Sequence, residues 1–303
     1  MRLAFNRHGD LAGKLLLLNP WLNGLLADDC KILSERELAL RQTEAALRRL
    51  KAGRSSWNAW SEAMLELGLQ AKGAPAFERL IKHTSEIVFG REEFSKAFDV
   101  AGFVFPGSVD FSHVAFEGEA WLNACRFCGP ANFSHATFAR SGAWFEQSTF
   151  ERQVSFVGSR WEGVAEARQL TCKDSVFFND AVFDADVWFA NGQFDGALDW
   201  SASIFNREAG FGSSAFNGVA SFEGCQFKGG VSFDDSAFAR SVSFSAARFS
   251  GAAWMRDVKF ASSPSFDKCK FQDIRKLHLD NTQQTPNRGA SELIADLKRR
   301  FSA

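Results

Sequence analysis

Residues 231–244 read VSFDDSAFARSVSF, with Phe233, Phe238 and Phe244 five and then six positions apart. The alternation extends in both directions from there. Phe183, Phe194, Phe205, Phe216, Phe227, Phe238, Phe249, Phe260 and Phe271 form one set. Phe178, Phe189, Trp200, Phe211, Phe222, Phe233, Phe244, Met255 and Phe266 form the interleaved one, and each set repeats every eleven residues. Self-similarity at a short fixed period marks a solenoid, in which each unit contacts only its neighbours.

Around each large residue the chain divides into pentads, with a small residue two positions ahead of the centre. Ala131-Asn-Phe133-Ser-His, Ala136-Thr-Phe138-Ala-Arg and Ser236-Ala-Phe238-Ala-Arg are examples. These units resemble those of the pentapeptide-repeat family, whose usual unit is A(D/N)Lxx with Leu or Phe at the centre. The resemblance covers residues 98–274 and implies a mainly β fold, a right-handed quadrilateral β-helix with one pentad per side. It further implies that the central and small residues point inward and the other three face solvent. Every second pentad here carries one extra residue, such as Ser241, so two pentads make eleven residues and four sides make 22. That predicts a 22-residue coil with a bulged corner on two of its four turns. Fifteen eleven-residue units between 109 and 273 predict about seven and a half coils, roughly 36 Å at the spacing of stacked strands. Phe138 and Phe145 are seven apart, which predicts a tolerated bulge near Arg140, Ser141 and Gly142. Ala167 and Cys172 take central positions within 165–174, which predicts a thinner core there.

The flanks read as helical. Residues 1–97 form an α-helical domain or cap, with a capping box at Ser34–Glu37. Its apolar stripe of Leu38, Leu40, Ala45, Leu47 and Leu50 ends at Gly53. Further helices are expected over 10–26, 58–69, 76–89 and 91–98. A solenoid needs such a cap, because an open end exposes its apolar bore and unpaired strand edges. The segment Leu50-Lys-Ala-Gly-Arg-Ser-Ser-Trp57-Asn-Ala-Trp60 resembles the LxxGxxxWNxW leader found ahead of repeats in many bacterial pentapeptide proteins. Beyond 274, residues 283–288 read as a loop. Residues 290–301 read as an amphipathic helix carrying Leu293, Ile294, Leu297 and Phe301, so that 275–303 covers the end of the rod or a neighbouring subunit.

Thirty-three Phe and no Tyr suit a dry bore, since a buried phenol needs a hydrogen-bond partner and a phenyl ring does not. A net charge of -1 gives no general attraction to nucleic acid or membrane, and no direct nucleic-acid binding is expected. The chain contains no run of the roughly 20 apolar residues that a membrane span needs. The Leu-rich N-terminus is broken by Asn19-Pro20 and lacks a clean cleavage site, so a cytoplasmic location is expected.

Chemistry finds little to attach to. Cys125, Cys225 and Cys269 fall at the small inward position and Cys172 at a central one, which makes them core fillers. Cys128 falls on the outside, so the Cys125–Cys128 pair is not a metal or disulfide motif. His113 and His135 lie 22 residues apart at the same pentad position and should stack, with no third ligand at a suitable spacing. There is no nucleophile elbow, phosphate-binding loop or dinucleotide fingerprint. No catalytic residue, metal or cofactor is therefore assigned.

The outward residues carry more information. Trp121, Trp144, Trp188 and Trp254 all precede a central residue on even-numbered units, so a 22-residue coil places them on one face. The corresponding odd positions include Asp110, Asn132, Ser155 and Asp199 and are mostly polar. Outward indoles in a row mark contact: with the terminal helices, with a protein partner or with a second copy. The leading expectation is a non-enzymatic interaction scaffold that uses these four Trp. The family resemblance supplies a second, a DNA mimic that binds a type II topoisomerase. That mimicry needs a continuous acidic face, and here Glu151, Glu162, Asp184 and Asp195 are interrupted by Lys173, Lys228, Arg248 and Lys270. An enzyme with its site in residues 1–97 is a third class.

Overall fold

A computed structural model describes residues 9–22, 35–284, 288–289 and 299 of the chain. Among these residues four helices, α1 (Gly9–Leu18), α2 (Glu35–Lys51), α3 (Arg54–Gln70) and α4 (Pro75–Ser85), precede a parallel β-solenoid of about nine turns. The solenoid consists of four sheets built from two-residue strands. The first starts at Ile87–Val88, the second at Glu93–Phe94, the third at Phe98–Asp99 and the fourth at Val104–Phe105. Successive strands of a sheet pair in parallel 22 residues apart, as in Val187 with Ala209 and Ala209 with Val231.

The expected insertion is absorbed without breaking the ladder: Ala120 pairs with Ala143, and a turn closes from the Gly142 N–H to the Ala139 carbonyl. Two expectations fail at the rod's ends. Residues 91–98 are not helical, and α4 stops at Ser85, because the five-and-six spacing already runs through Phe89, Phe94, Val100 and Phe105. Phe98 occupies the small inward position of its pentad rather than the centre. Residues 283–284 are not a loop either. They pair with Lys259–Phe260 and, antiparallel, with Arg288–Gly289. The ladder therefore runs past 273, with the short helical turn Ile274–Lys276 taking up extra residues before Leu277 pairs with Ala253. Among the described side chains of α2, Gln42 and Ala46 are buried, while Leu40 is exposed. The capping box begins at Ser34, and the C-terminal amphipathic segment spans 290–301; both lie outside the described residues apart from isolated positions.

Large side chains form columns along the bore. Phe183, Phe205 and Phe227 stack with centroids 5.1 and 4.9 Å apart and planes within 8°. Neighbouring columns meet edge to face, as in Phe211 with Phe222 at 5.6 Å and 72°. Such pairs add about 0.5–1.5 kcal/mol each beyond the burial itself. The small inward position of the second and fourth sheets does separate work. There Ser203, Ser214 and Ser236 donate to the carbonyls of Phe178, Phe189 and Phe211, and Cys125, Cys225 and Cys269 donate through Sγ to Val100, Trp200 and Phe244. Each adds a side-chain bond to a corner carbonyl of the coil beneath, and the carbonyls of Val100, Phe178, Trp200 and Phe244 also accept a backbone N–H from their own turn. The 165–174 region is filled from its neighbours. Trp161 occupies the adjacent centre and Leu170 the small position, and both are buried.

The two kinds of corner differ in backbone. Five-residue sides, following the first and third sheets, close through a left-handed residue such as Ala202 (φ 60°), Ser213 (φ 55°), Asp235 (φ 60°) or Ala246 (φ 57°). Six-residue sides use the extra residue instead. At one of these corners, Gly218 passes so near the Gly196 carbonyl that a Cβ would collide with it. Left-handed backbone disfavours a Cβ, and Gly224 already occupies the column that contains Ala202 and Ala246. Ala246 is exposed and buries nothing. Ala246→Gly is thus expected to raise the unfolding free energy by about 0.5–1 kcal/mol, measured as a higher denaturant midpoint at constant slope. A fall would show that unfolded-chain entropy outweighs the corner strain.

The N-terminal helices close one end of the bore. Trp57 and Ser61 of α3 both donate to the Val104 carbonyl, at 2.7 and 2.6 Å. Asn58 donates to the Gly102 carbonyl and accepts from the Val104 N–H, both at 2.9 Å, so its amide bonds this strand edge as a preceding strand would. Thr43 of α2 donates to the Val88 carbonyl at the edge of the first sheet. Behind them the Arg49 guanidinium lies 4.2 Å from the Trp60 ring centroid and bonds Leu18 and Asn19. Burial, with the neighbouring Arg48 adding to it, pulls its pKa down to about 10.

Candidate functional site

Trp121, Trp144, Trp188 and Trp254 are all strand residues of the third sheet, each facing away from the bore and each half-buried. Inward neighbours on either side, such as Ala120 and Leu122, place the indole outside by strand alternation. Trp121 pairs directly with Trp144, and the rings stack at 4.1 Å and 9°, so each covers one face of the other. The Trp121 indole N–H donates to Glu119 at 3.1 Å. Trp188 pairs with Gly210, and its ring lies where a Cβ on Gly210 would stand. The Arg168 guanidinium sits 5.4 Å from the same ring. Trp254 lies over Gly230 and stacks on His278 of the C-terminal turn at 6.2 Å and 10°. Trp144, Trp188 and Trp254 thus lean on Gly142, Gly210 and Gly230, and Trp121 on Trp144.

The N-terminal helices dock elsewhere, α2 against the first strand of the first sheet and α3 against the first strand of the fourth. Two sides along the coil from the Trp, the first sheet carries Asp110, Asn132, Ser155, Asp199 and Ser221 outward. These residues bond one another or neighbouring polar groups, as in Asn132 to Asp110 at 3.2 Å and between the Ser201 and Ser221 hydroxyls at 3.0 Å. His113 and His135 stack on this side at 4.9 Å and 17°. Three acids of the second and fourth sheets are held in ion pairs, whereas Asp195 of the fourth is bonded by the Gln193 and Asn217 amides. Arg126 and Lys173 hold Glu151, while Arg160 holds both Glu162 and Asp184.

The thiols fall where the register places them. Cys125, Cys172, Cys225 and Cys269 are buried and free, and Cys128 is half-buried. Burial pushes the Cys125 and Cys269 thiols up to about 12, and those of Cys172 and Cys225 higher still. Such groups are protonated and unreactive at neutral pH. Among the described residues no group of three His, Cys, Asp or Glu is placed to hold a metal ion. No described helix is long and apolar enough to cross a membrane.

What sequence reasoning missed on the third sheet is the glycine beneath the indoles and the acids beside them. Gly210 stands 22 residues after Trp188, and Asp186 and Glu208 stand 22 apart, so the repeat register already contained both signals.

Four parallel sheets wound with a 22-residue rise define the class as a β-solenoid. The family model of pentapeptide repeats (9 copies) matches residues 101–141, 111–160 and 201–248, so these stretches of the solenoid are similar to pentapeptide repeats. Neither the curated proteins nor the solved structures give a match.

Proposed function

We propose that this protein is a non-enzymatic, cytoplasmic scaffold, a right-handed quadrilateral rod whose third-sheet face meets a protein partner or a second copy of the chain. One observation carries the reading: four indoles occupy a single sheet, half-exposed, on a side away from the strand edges where the N-terminal helices dock. An aromatic row left partly in water is expensive unless a contact completes its burial, and Trp is the residue most enriched among binding hot spots. The first sheet carries a polar ladder outward, and neither the second nor the fourth carries a comparable row of indoles on its strands. Free, buried thiols accord with a reducing compartment.

Replacing Trp121, Trp144, Trp188 and Trp254 singly by Ser is the direct test. Sedimentation for self-association and affinity capture from the native host are the readouts. At least one substitution is expected to weaken association by about 2 kcal/mol or more, some thirtyfold, while the far-ultraviolet spectrum stays unchanged. Unaltered association in all four variants would remove this face from consideration.

A further inference from the structure

We infer that the third-sheet face between Trp188 and Trp254 docks an extended segment of a partner protein rich in Arg and Lys. This deepens the scaffold reading and rests on it. The two indoles lie three registers apart, with Gly210 and Ser232 on the strands between them, so nothing large protrudes there. An extended chain running along the rod would span that gap, roughly 14 Å at the spacing of stacked strands.

Charge names the occupant. Asp186 and Glu208 form a column on one side of the strands, in register through the bonds from Ala165 to the Asp186 carbonyl and from Val187 to the Glu208 carbonyl. Among the described residues their carboxylates accept hydrogen bonds from backbone amides, of Glu208 and Gly230 respectively. On the other side Asp235 and Asp257 follow in consecutive coils, aligned by the bond from Asp235 to the Arg256 carbonyl. Arg256 is held by Asp234, leaving Asp235 and Asp257 without an ion pair among the described residues. Carboxylates stand on both sides of an aromatic, small-floored strip, whereas Glu151 of the fourth sheet and Glu162 and Asp184 of the second already hold arginines or lysines. A cationic side chain on this strip would gain ion pairs from either side while its aliphatic stem packs on an indole.

The probe is a fluorescein-labelled peptide of about ten residues alternating Arg with Ser, titrated by fluorescence anisotropy at about 0.15 M salt. Wild-type protein is expected to bind it, and an otherwise identical Glu–Ser peptide is not. The double change Glu208→Lys with Asp235→Lys is expected to weaken binding about tenfold or more. A charge-matched control, Asp180→Lys with Glu223→Lys on exposed positions of the first-sheet side, should stay within about twofold. Trp188→Ser should also weaken it. Equal loss in both double variants would show attraction to net charge alone and overturn the inference, as would unchanged binding in Trp188→Ser. Failure of the peptide to bind wild type overturns it too. If Trp-dependent association then persists, only the cationic occupant is wrong; if that association is also absent, the scaffold reading falls with it.

Discussion

Trp161→Ala is expected to lower the unfolding free energy by about 4 kcal/mol, among the largest effects of any single truncation in the rod. Trp161 stacks on Phe138 at 4.0 Å and on Phe183 at 5.4 Å, and packs against Phe145 and Phe156 at 5.8 and 5.7 Å. Its indole N–H is satisfied by the Ser159 hydroxyl at 2.9 Å. The next two centres of the same coil are Ala167 and Cys172, so this one ring supplies much of that coil's filling. Removing it leaves a cavity that short, hydrogen-bonded strands on all four sides cannot collapse into. In a chain of nearest-neighbour units, a weak coil in the middle also uncouples the two halves. Chemical denaturation of the variant should therefore show a broadened or two-step transition where the parent shows one.

Trp200→Phe is the control, because it changes another buried indole in a different setting. Trp200 stacks on Phe178 at 3.8 Å, yet its N–H finds no acceptor among the described residues. A phenyl ring keeps the column and removes an unsatisfied donor, whose burial costs about 1–3 kcal/mol. The change should cost less than about 1 kcal/mol and can raise stability. If Trp200→Phe were as damaging as Trp161→Ala, the filling of the 165–174 region would not be the reason for either.

The contrast between these two residues shows how far a repeat register reaches. Phase, coil length, the inward place of Cys225 and the common sheet of Trp121 and Trp254 all follow from spacing, because each repeats the environment of a residue 22 positions away. Compensation does not. That Trp161 and Leu170 make up for Ala167 and Cys172 depends on contacts across one coil, and the spacing treats every coil alike. The start of the rod was hidden for a related reason. Val100 sits at a centre and Phe98 at a small position, so size and role are exchanged in that pentad, and the ladder already paired at Ile87 reads as helix. The WNxW leader was legible as a motif, but its use was not. Asn58 completes the edge of Val104, a bond to backbone that no side-chain pattern in the strand records.

Raising the pH should unfold the protein between about pH 9 and 12, and the buried thiols should be the cause. Folded, Cys125 and Cys269 hold their protons to about 12, and Cys172 and Cys225 hold theirs longer; unfolded, all four release them near the ordinary thiol value of about 9. Between those limits the native state binds more protons than the unfolded chain, so stability is full below the unfolded pKa and falls as pH rises. Each such group contributes a slope of up to about 1.4 kcal/mol per pH unit, and four acting together would exhaust a stability of about 5–15 kcal/mol within a few units. Arg49 works in the opposite direction, since its folded pKa is the lower one, but it is one group against four. With no Tyr in the chain, no phenol titrates in this range to confuse the assignment. A variant combining Cys125→Ser, Cys225→Ser and Cys269→Ser with Cys172→Ala keeps a hydroxyl on each corner carbonyl, as Ser203, Ser214 and Ser236 already do. Circular dichroism against pH should place its alkaline midpoint at least about one unit above the parent's. Coincident midpoints would mean that lysine deprotonation or surface repulsion, not the thiols, sets the alkaline limit.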